Sequence, residues 1–240
     1  MHNGFIGEFL GTMILVLLGD GVVANVLLAK SKGQNSGWIV ITVGWGFAVL
    51  CGVIVAVAAG SAGHLNPAVT LAFYAAGSFP AADVVPYIAA QMSGAFTGAI
   101  LVYLAYLAHW KPTEDQSLKL GVFCTGPAIR NIPANCLTEI IGTFVLVFVV
   151  IAIGAKTVGA TDVLGPLMVG LLVWAVGVSL GGPTGYAINP ARDLGPRIAH
   201  ALLPIPGKGK SDWAYAWIPV AAPITGGLIA VACAKAAGMI

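Results

Sequence analysis

Charged residues are scarce in this sequence, at 8% of its 240 residues. A soluble domain carries roughly 25%, and a water-facing surface cannot be built from so few. Most of the exterior is therefore expected to face lipid, in keeping with the 58% of residues that are hydrophobic. The formal net charge is only +2, with no basic run and no acidic tail, so no nucleic-acid partner is expected. Cysteine is scarce too, at four. Cys51 and Cys233 stand inside apolar runs and read as small buried hydrophobes. Cys124 and Cys136 flank a loop without metal-ligand spacing, and either free thiols or a disulfide would fit. No Ser-His-Asp set, metal-spaced His/Cys group or phosphate loop appears, so neither an enzyme nor a bound cofactor or metal is expected. No Lys or Arg precedes the first apolar run, which therefore lacks a signal peptide's basic start and is expected to stay as a membrane helix.

What is present is apolar length. A membrane helix needs about 20 mostly apolar residues. Six segments qualify, over 5–29, 38–59, 85–108, 136–156, 163–181 and 214–236. An even number puts both termini on one side. Two further apolar stretches, 66–77 and 189–202, are too short to span, and each opens with Asn-Pro-Ala. Proline suits the first position of a helix, where its missing N–H costs nothing. Asparagine just before it is a good N-cap. Each short stretch thus reads as a half-helix that starts abruptly at its Asn.

The two halves of the chain repeat each other. Residues 8–16 read EFLGTMILV and residues 139–147 read EIIGTFVLV. HLNPA at 64–68 returns as AINPA at 187–191, and GAFTGAIL at 94–101 as APITGGLI at 222–229. One unit of three spans and a half-helix has been used twice, over 1–108 and 136–240. Three spans is an odd number, so the second copy must enter the membrane inverted. The joining segment 109–135 holds Lys111, Glu114, Asp115, Lys119 and Arg130 and reads as a solvated loop. Glycines at helical spacing, Gly7 with Gly11 and Gly94 with Gly98, read as close helix packing.

Two half-helices entering from opposite faces would meet near the midplane. Each N-terminus carries about half a positive charge, and Asn66 and Asn189 sit at those ends. A capping Asn can accept from its own helix and keep its amide N–H groups as donors. Two such donors could hold a water or hydroxyl oxygen in a lumen. A single Asn-Pro could equally be a plain cap. Two in matching places of an inverted repeat argue for a shared site.

SAGHLNPAVTLA at 61–72 and GYAINPARDLGP at 185–196 resemble the two signature loops of the aquaporin superfamily. With the spans and the repeat, the resemblance covers essentially the whole chain. It implies an all-α membrane protein with six transmembrane helices plus two re-entrant half-helices, in the inverted-repeat aquaporin fold. Arg192, after the second Asn-Pro-Ala, matches the family's selectivity-filter arginine. Asp193 resembles the glycerol-conducting branch. Tyr186 falls where that branch usually has Phe, and Gly177 where water-selective members usually have His. Trp45 falls near the branch's filter Trp. Its spacing to Asn66 is one residue longer than usual, which an extra residue in the 58–63 turn would explain.

Each of these has a plainer reading. Trp38, Trp110, Trp213 and Trp217 lie at span ends and read as interfacial belt residues. Trp45 is about 10 Å deeper along the helix than Trp38, too deep for most belts. Trp174 reads as packing or lipid-facing. Tyr186 could be an interfacial tyrosine, but it sits in the signature loop. Arg192 beside a helix N-terminus is electrostatically unfavourable, which suggests retention for function.

Glu8 and Glu139 are symmetry mates near the starts of their spans. A carboxylate in lipid is costly and is a functional candidate. Matching glutamates in the family brace the signature loops by accepting backbone hydrogen bonds. A proton-relay pair is the rival. Non-helical backbone at membrane depth needs bracing or a cavity to line. The carbonyls of Ala62, Gly63, His64, Gly185, Tyr186 and Ala187 would offer acceptors along a pore, and His64 itself reads as a packed loop residue.

The resemblance implies a channel for passive diffusion of glycerol and other small uncharged solutes, water and protonated lactic acid among them. Arg192 and the opposed half-helix dipoles would repel cations and protons, aquaporins being the familiar example of such a barrier. It further implies a homotetramer in the lipid bilayer of the cell membrane, with both termini cytoplasmic. The positive-inside rule points the other way, since only Lys156 and Lys235 of eleven Lys and Arg would then be cytoplasmic. The main rival is a secondary transporter, also built from inverted repeats. Its coupling site would have to come from Glu8, Asp20 and Glu139, none at the Asn-Pro-Ala level.

Overall fold

In the computed structural model, residues 3–155, 157–159 and 164–240 are described. Lys156, on which part of the orientation count rests, lies outside them, as do the facing ends of the spans expected at 136–156 and 163–181. Nine α-helices are present among the described residues. They are α1 (Asn3–Leu27), α2 (Trp38–Ala58), α3 (Pro67–Ala76), α4 (Ala81–Ala105), α5 (Gln116–Phe123), α6 (Ile132–Gly154), α7 (Leu164–Leu180), α8 (Pro190–Leu202) and α9 (Ile218–Ala236). Five of them, α1, α2, α4, α6 and α9, are long and apolar enough to cross a membrane. The described part of α7 has 17 residues.

Helix starts follow cap chemistry more than hydropathy. Helix α6 begins four residues before its expected span, because Asn131 accepts from the Ala134 N–H and a proline stands in the first turn. That turn, IPAN, is too polar for a hydropathy window to include. Helix α4 likewise starts at Ala81, after Pro80. The half-helices α3 and α8 open where the Asn-Pro pairs predict, on Asn66 and Asn189 caps.

The order long, long, short, long occurs twice, as α1 to α4 and α6 to α9. Helix α1 packs on α2 and α4, and α6 packs on α7 and α9. Across the halves, α2 meets α7, α4 meets α8, and α3 meets α9. Glycine permits the closest approaches. A Cβ on Gly98 of α4 would lie 2.6 Å from the Met13 carbonyl oxygen of α1.

The joining segment differs from the expected solvated loop. It carries α5, capped by Asp115, whose side chain accepts from the Ser117 N–H at 2.7 Å. Val122 and Phe123 of α5 are buried, as is Lys119, whose Nζ donates to the Pro206 carbonyl. Eight residues with one apolar side are too few for a hydropathy window to register. Trp110 is corrected with it. It is no belt residue but is fully buried, stacked between Tyr103 and Phe123 with centroids 5.9 and 5.5 Å away. Trp110→Ala is expected to cost about 3–5 kcal/mol. A lowered Tm of the purified protein with unchanged solute selectivity would be the mark of this purely structural role; an unchanged Tm would contradict it. Trp213 and Trp217 are half-exposed, as belt residues should be. Cys124 and Cys136 are free thiols, and Cys233 faces outward although buried hydrophobes were expected there.

Basic side chains close the outer ends of both half-helices. Lys208 Nζ donates to the carbonyls of His200, Ala201 and Leu203 at the end of α8. Lys235 Nζ donates to the Ala75 carbonyl at the end of α3. A cation at a helix C-terminus is favourable against the dipole, so these charges complete the half-helices.

Candidate functional site

The two half-helix caps interlock. Asn66 Oδ1 accepts from the Ala68 N–H at 2.9 Å, and Asn189 Oδ1 from the Ala191 and Arg192 N–H groups at 3.0 and 3.2 Å. Each amide nitrogen then reaches into the opposite loop. Asn66 Nδ2 donates to the Ile188 carbonyl and Asn189 Nδ2 to the Leu65 carbonyl, both at 2.8 Å. An Asn amide has two N–H donors, so one from each remains for the cavity that both residues line. The two donors expected to be wholly free are thus half-used as cross-links.

Leu65 and Ile188, which precede the two Asn residues, hold φ of 52° and 43°. Branched residues rarely adopt the left-handed region, and such strain persists only where the surroundings fix it. Here each is fixed at both ends. Its carbonyl takes the opposite Asn, and its N–H donates to a buried glutamate, Leu65 to Glu8 Oε2 at 2.7 Å and Ile188 to Glu139 Oε2 at 2.8 Å. Glu8 also accepts from the His64 N–H, Ser61 Oγ and Gln91 Nε2. Glu139 also accepts from the Ala187 N–H and Thr184 Oγ1. Both carboxylates are fully engaged, on matching positions of the two loops.

A cavity of about 580 Å³ runs past these elements. Its lining includes Trp45, Tyr186 and Arg192, the two capping residues Asn66 and Asn189, and apolar residues such as Phe73, Phe79, Ile153 and Pro166. The Arg192 guanidinium carbon sits 4.0 Å from the Trp45 ring centroid, a cation–π contact. Arg192 Nη1 and the Tyr186 hydroxyl are buried without a hydrogen-bond partner. Ala62, Gly63, His64 and Ala187 also line the cavity. Gly185 does not; it faces Thr125, and its N–H donates to the Gly181 carbonyl. His64 packs among Phe73, Phe79 and Tyr87.

Gly177 also stands off the lumen. A Cβ there would lie 2.7 Å from Tyr186 Cζ and 2.9 Å from its hydroxyl. The missing side chain is thus filled by Tyr186, whose ring also meets Trp38 edge-on at 5.8 Å. Trp38 Nε1 donates to the Gly177 carbonyl at 3.1 Å, so Trp38 belongs to this nest as well as to the helix end where the sequence places it. Asp193 takes no part in the lumen. It accepts from the Thr125 N–H and hydroxyl and pairs with Arg197, itself bonded to the carbonyls of Thr125, Ser211 and Asp212. That network ties α8 to the loops on both its sides.

A residue near the site that sequence reasoning undervalued is Asp20 of α1. Its Oδ1 lies 3.6 Å from Arg192 Nη1. The available signal was a lone carboxylate deep in an apolar helix.

The family model for the major intrinsic proteins matches residues 1–233. The chain is 62% identical over 225 residues to the protein of Thermotoga maritima named "Probable glycerol uptake facilitator protein", covering 94% of this chain and 95% of that one. It is 40% identical over 235 residues to a D/L-lactic acid transporter of Lactiplantibacillus plantarum, covering 96% and 95%. Among solved structures, the aquaglyceroporin from Plasmodium falciparum superposes with a TM-score of 0.87 at 30% identity, covering 97% of this chain and 95% of that one. This chain is a multi-pass membrane protein and belongs to the major intrinsic protein family.

Proposed function

We propose that the protein is a channel for passive diffusion of glycerol and other small uncharged solutes, water among them, excluding ions and protons. One observation carries the reading: an aromatic wall, Trp45 and Tyr186, meets a single cationic corner, Arg192, in one lumen. A polyol is itself two-sided. Its carbon chain suits the rings, and its hydroxyls suit the Arg192 guanidinium and the loop carbonyls of Ala62, Gly63, His64, Tyr186 and Ala187. Asn66 and Asn189 form the central constriction. Gly177 shapes the filter by seating Tyr186. Glu8 and Glu139 brace the loops. The whole makes one channel domain of two inverted repeats, and an assembly of four copies would carry one pore in each.

The orientation with both termini cytoplasmic follows from the family resemblance and runs against the positive-inside count. A secondary transporter is disfavoured, because Glu8 and Glu139 are saturated by donors and Asp20 faces Arg192. None is left to couple an ion. A permeability panel of glycerol, water, urea and lactic acid in proteoliposomes tests the reading. Saturable or ion-dependent flux would refute it.

Tyr186 adds protonated lactic acid to the range. Its hydroxyl is buried against Gly177 without a partner; swung toward the lumen it would be donor and acceptor at once, which suits the carboxyl of the protonated acid, an O–H donor and a C=O acceptor on one carbon. An unpaired polar group costs on the order of 1–3 kcal/mol, so Tyr186→Phe is expected to lower the lactic-acid-to-glycerol flux ratio by about tenfold. The ionised acid stays excluded by its desolvation cost, so lactic acid flux should rise as pH falls toward its pKa. Equal ratios in the two proteins would leave the hydroxyl without a role in selection.

A further inference from the structure

We propose that Asp20 is the fixed counter-charge of the filter arginine, making the aromatic section of the lumen electrically neutral, so that small anions are not drawn into it. This rests on the reading of Trp45, Tyr186 and Arg192 as the filter. Asp20 lies well inside α1 and is 0% exposed. Neither carboxylate oxygen has a hydrogen-bond partner, and Arg192 Nη1, 3.6 Å from Oδ1, has none either. A buried carboxylate without donors is costly unless a charge answers it, and Arg192 is the cation it faces.

The other buried carboxylates are spoken for. Glu8 and Glu139 are filled by loop donors, and Asp193 by Thr125 and Arg197. Neighbouring Gly19 has a matching task, since any Cβ there would run into the Trp45 ring. Successive residues of α1 therefore seat both halves of the filter, Gly19 admitting Trp45 and Asp20 answering the arginine stacked on it. Asp20 does not line the cavity. It is a positioning residue that acts through Arg192.

The consequence is a division of the ion barrier. The half-helix N-termini at Asn66 and Asn189 keep their positive ends toward the midplane and oppose cations there. The filter offers a solute the guanidinium donors of Arg192 without the attraction of an uncompensated charge. Removing Asp20 would leave that charge bare beside the lumen.

Wild type, Asp20→Asn and Asp20→Glu are compared in proteoliposomes at neutral pH, with nitrate as the anion probe. Nitrate entry is read from its diffusion potential, and glycerol flux is measured with and without nitrate. Wild-type glycerol flux should be indifferent to nitrate. Asp20→Asn should raise the nitrate-to-glycerol permeability ratio by on the order of tenfold, the scale of one charge a few ångströms from a water-filled path. Asp20→Glu, which keeps the charge, should stay near wild type. A merely structural Asp20 would lower yield or overall flux and leave the ratio alone, and an unchanged ratio in Asp20→Asn overturns the proposal. Should that variant fail to assemble, the wild type decides: saturable inhibition of its glycerol flux by nitrate overturns the proposal, and indifference upholds it. Absence of any glycerol flux in wild type would instead refute the channel reading itself.

Discussion

Gly177→His is expected to abolish glycerol flux in proteoliposomes while water flux persists. The reason is steric and acts through Tyr186. A Cβ at position 177 would stand 2.7 Å from Tyr186 Cζ and 3.0 Å from Thr42 Cγ2. The ring cannot retreat, because a Cβ on Gly181 would already lie 2.5 Å from Tyr186 Cδ1, and Trp38 closes the third side at 5.8 Å. What remains is displacement into the cavity that Tyr186 lines. Overpacking costs roughly 1–3 kcal/mol, so Gly177→Ala alone should lower glycerol permeability by about tenfold. The imidazole of the His variant should finish the closure for a polyol yet leave room for single-file water. A Gly177→His protein of normal yield with wild-type glycerol permeability would show that this niche does not set the size limit.

That mechanism departs from the one the sequence suggests. By position, Gly177 reads as a gap in the filter wall. In the structure the gap is occupied, and the glycine matters because an aromatic ring needs its place. The difference could not be read from spacing, since it depends on Tyr186 holding φ of 40°, which brings its ring against α7. What was legible were features with a local code: apolar length for the spans, Asn-Pro for the half-helix starts, and repeated segments for the second unit. The features that escaped are all non-local. Asp20 and Arg192 are far apart in the chain, and only the packing of α1 on α8 brings them within 3.6 Å. The exchange of Asn66 and Asn189 between loops needs both half-helices placed at once. Helix α5 escaped because eight residues leave too short a pattern to register.

The two braces carry the second large effect. Glu8→Gln preserves side-chain volume, and is expected to cost far more than a shape-preserving change suggests. Glu8 Oε1 accepts from the His64 N–H at 2.9 Å and from Ser61 Oγ, and Oε2 accepts from the Leu65 N–H and Gln91 Nε2, each at 2.7 Å. Every partner now donates. A glutamine offers one oxygen and one NH2 group, so although the Ser61 hydroxyl can turn to accept, whichever way the amide lies at least one backbone N–H, of His64 or of Leu65, faces a donor in place of an acceptor. Leaving a buried donor unsatisfied costs about 1–3 kcal/mol, against a total stability of about 5–15 kcal/mol. One orphan would be the Leu65 or the His64 N–H, and Leu65 holds a φ of 52° that needs that tether. Once released, Leu65 would also withdraw the carbonyl that anchors Asn189. Damage to one brace should therefore reach the opposite half-helix. The expected result is a sharp fall in folded yield and in Tm, with the surviving protein still ranking solutes as wild type does, because Trp45, Tyr186 and Arg192 are untouched. Glu139→Gln should behave alike, its donors being the Ala187 and Ile188 N–H groups and Thr184 Oγ1. A Glu8→Gln protein of unchanged Tm whose solute flux had lost a prior dependence on an imposed proton gradient would favour the relay over the brace.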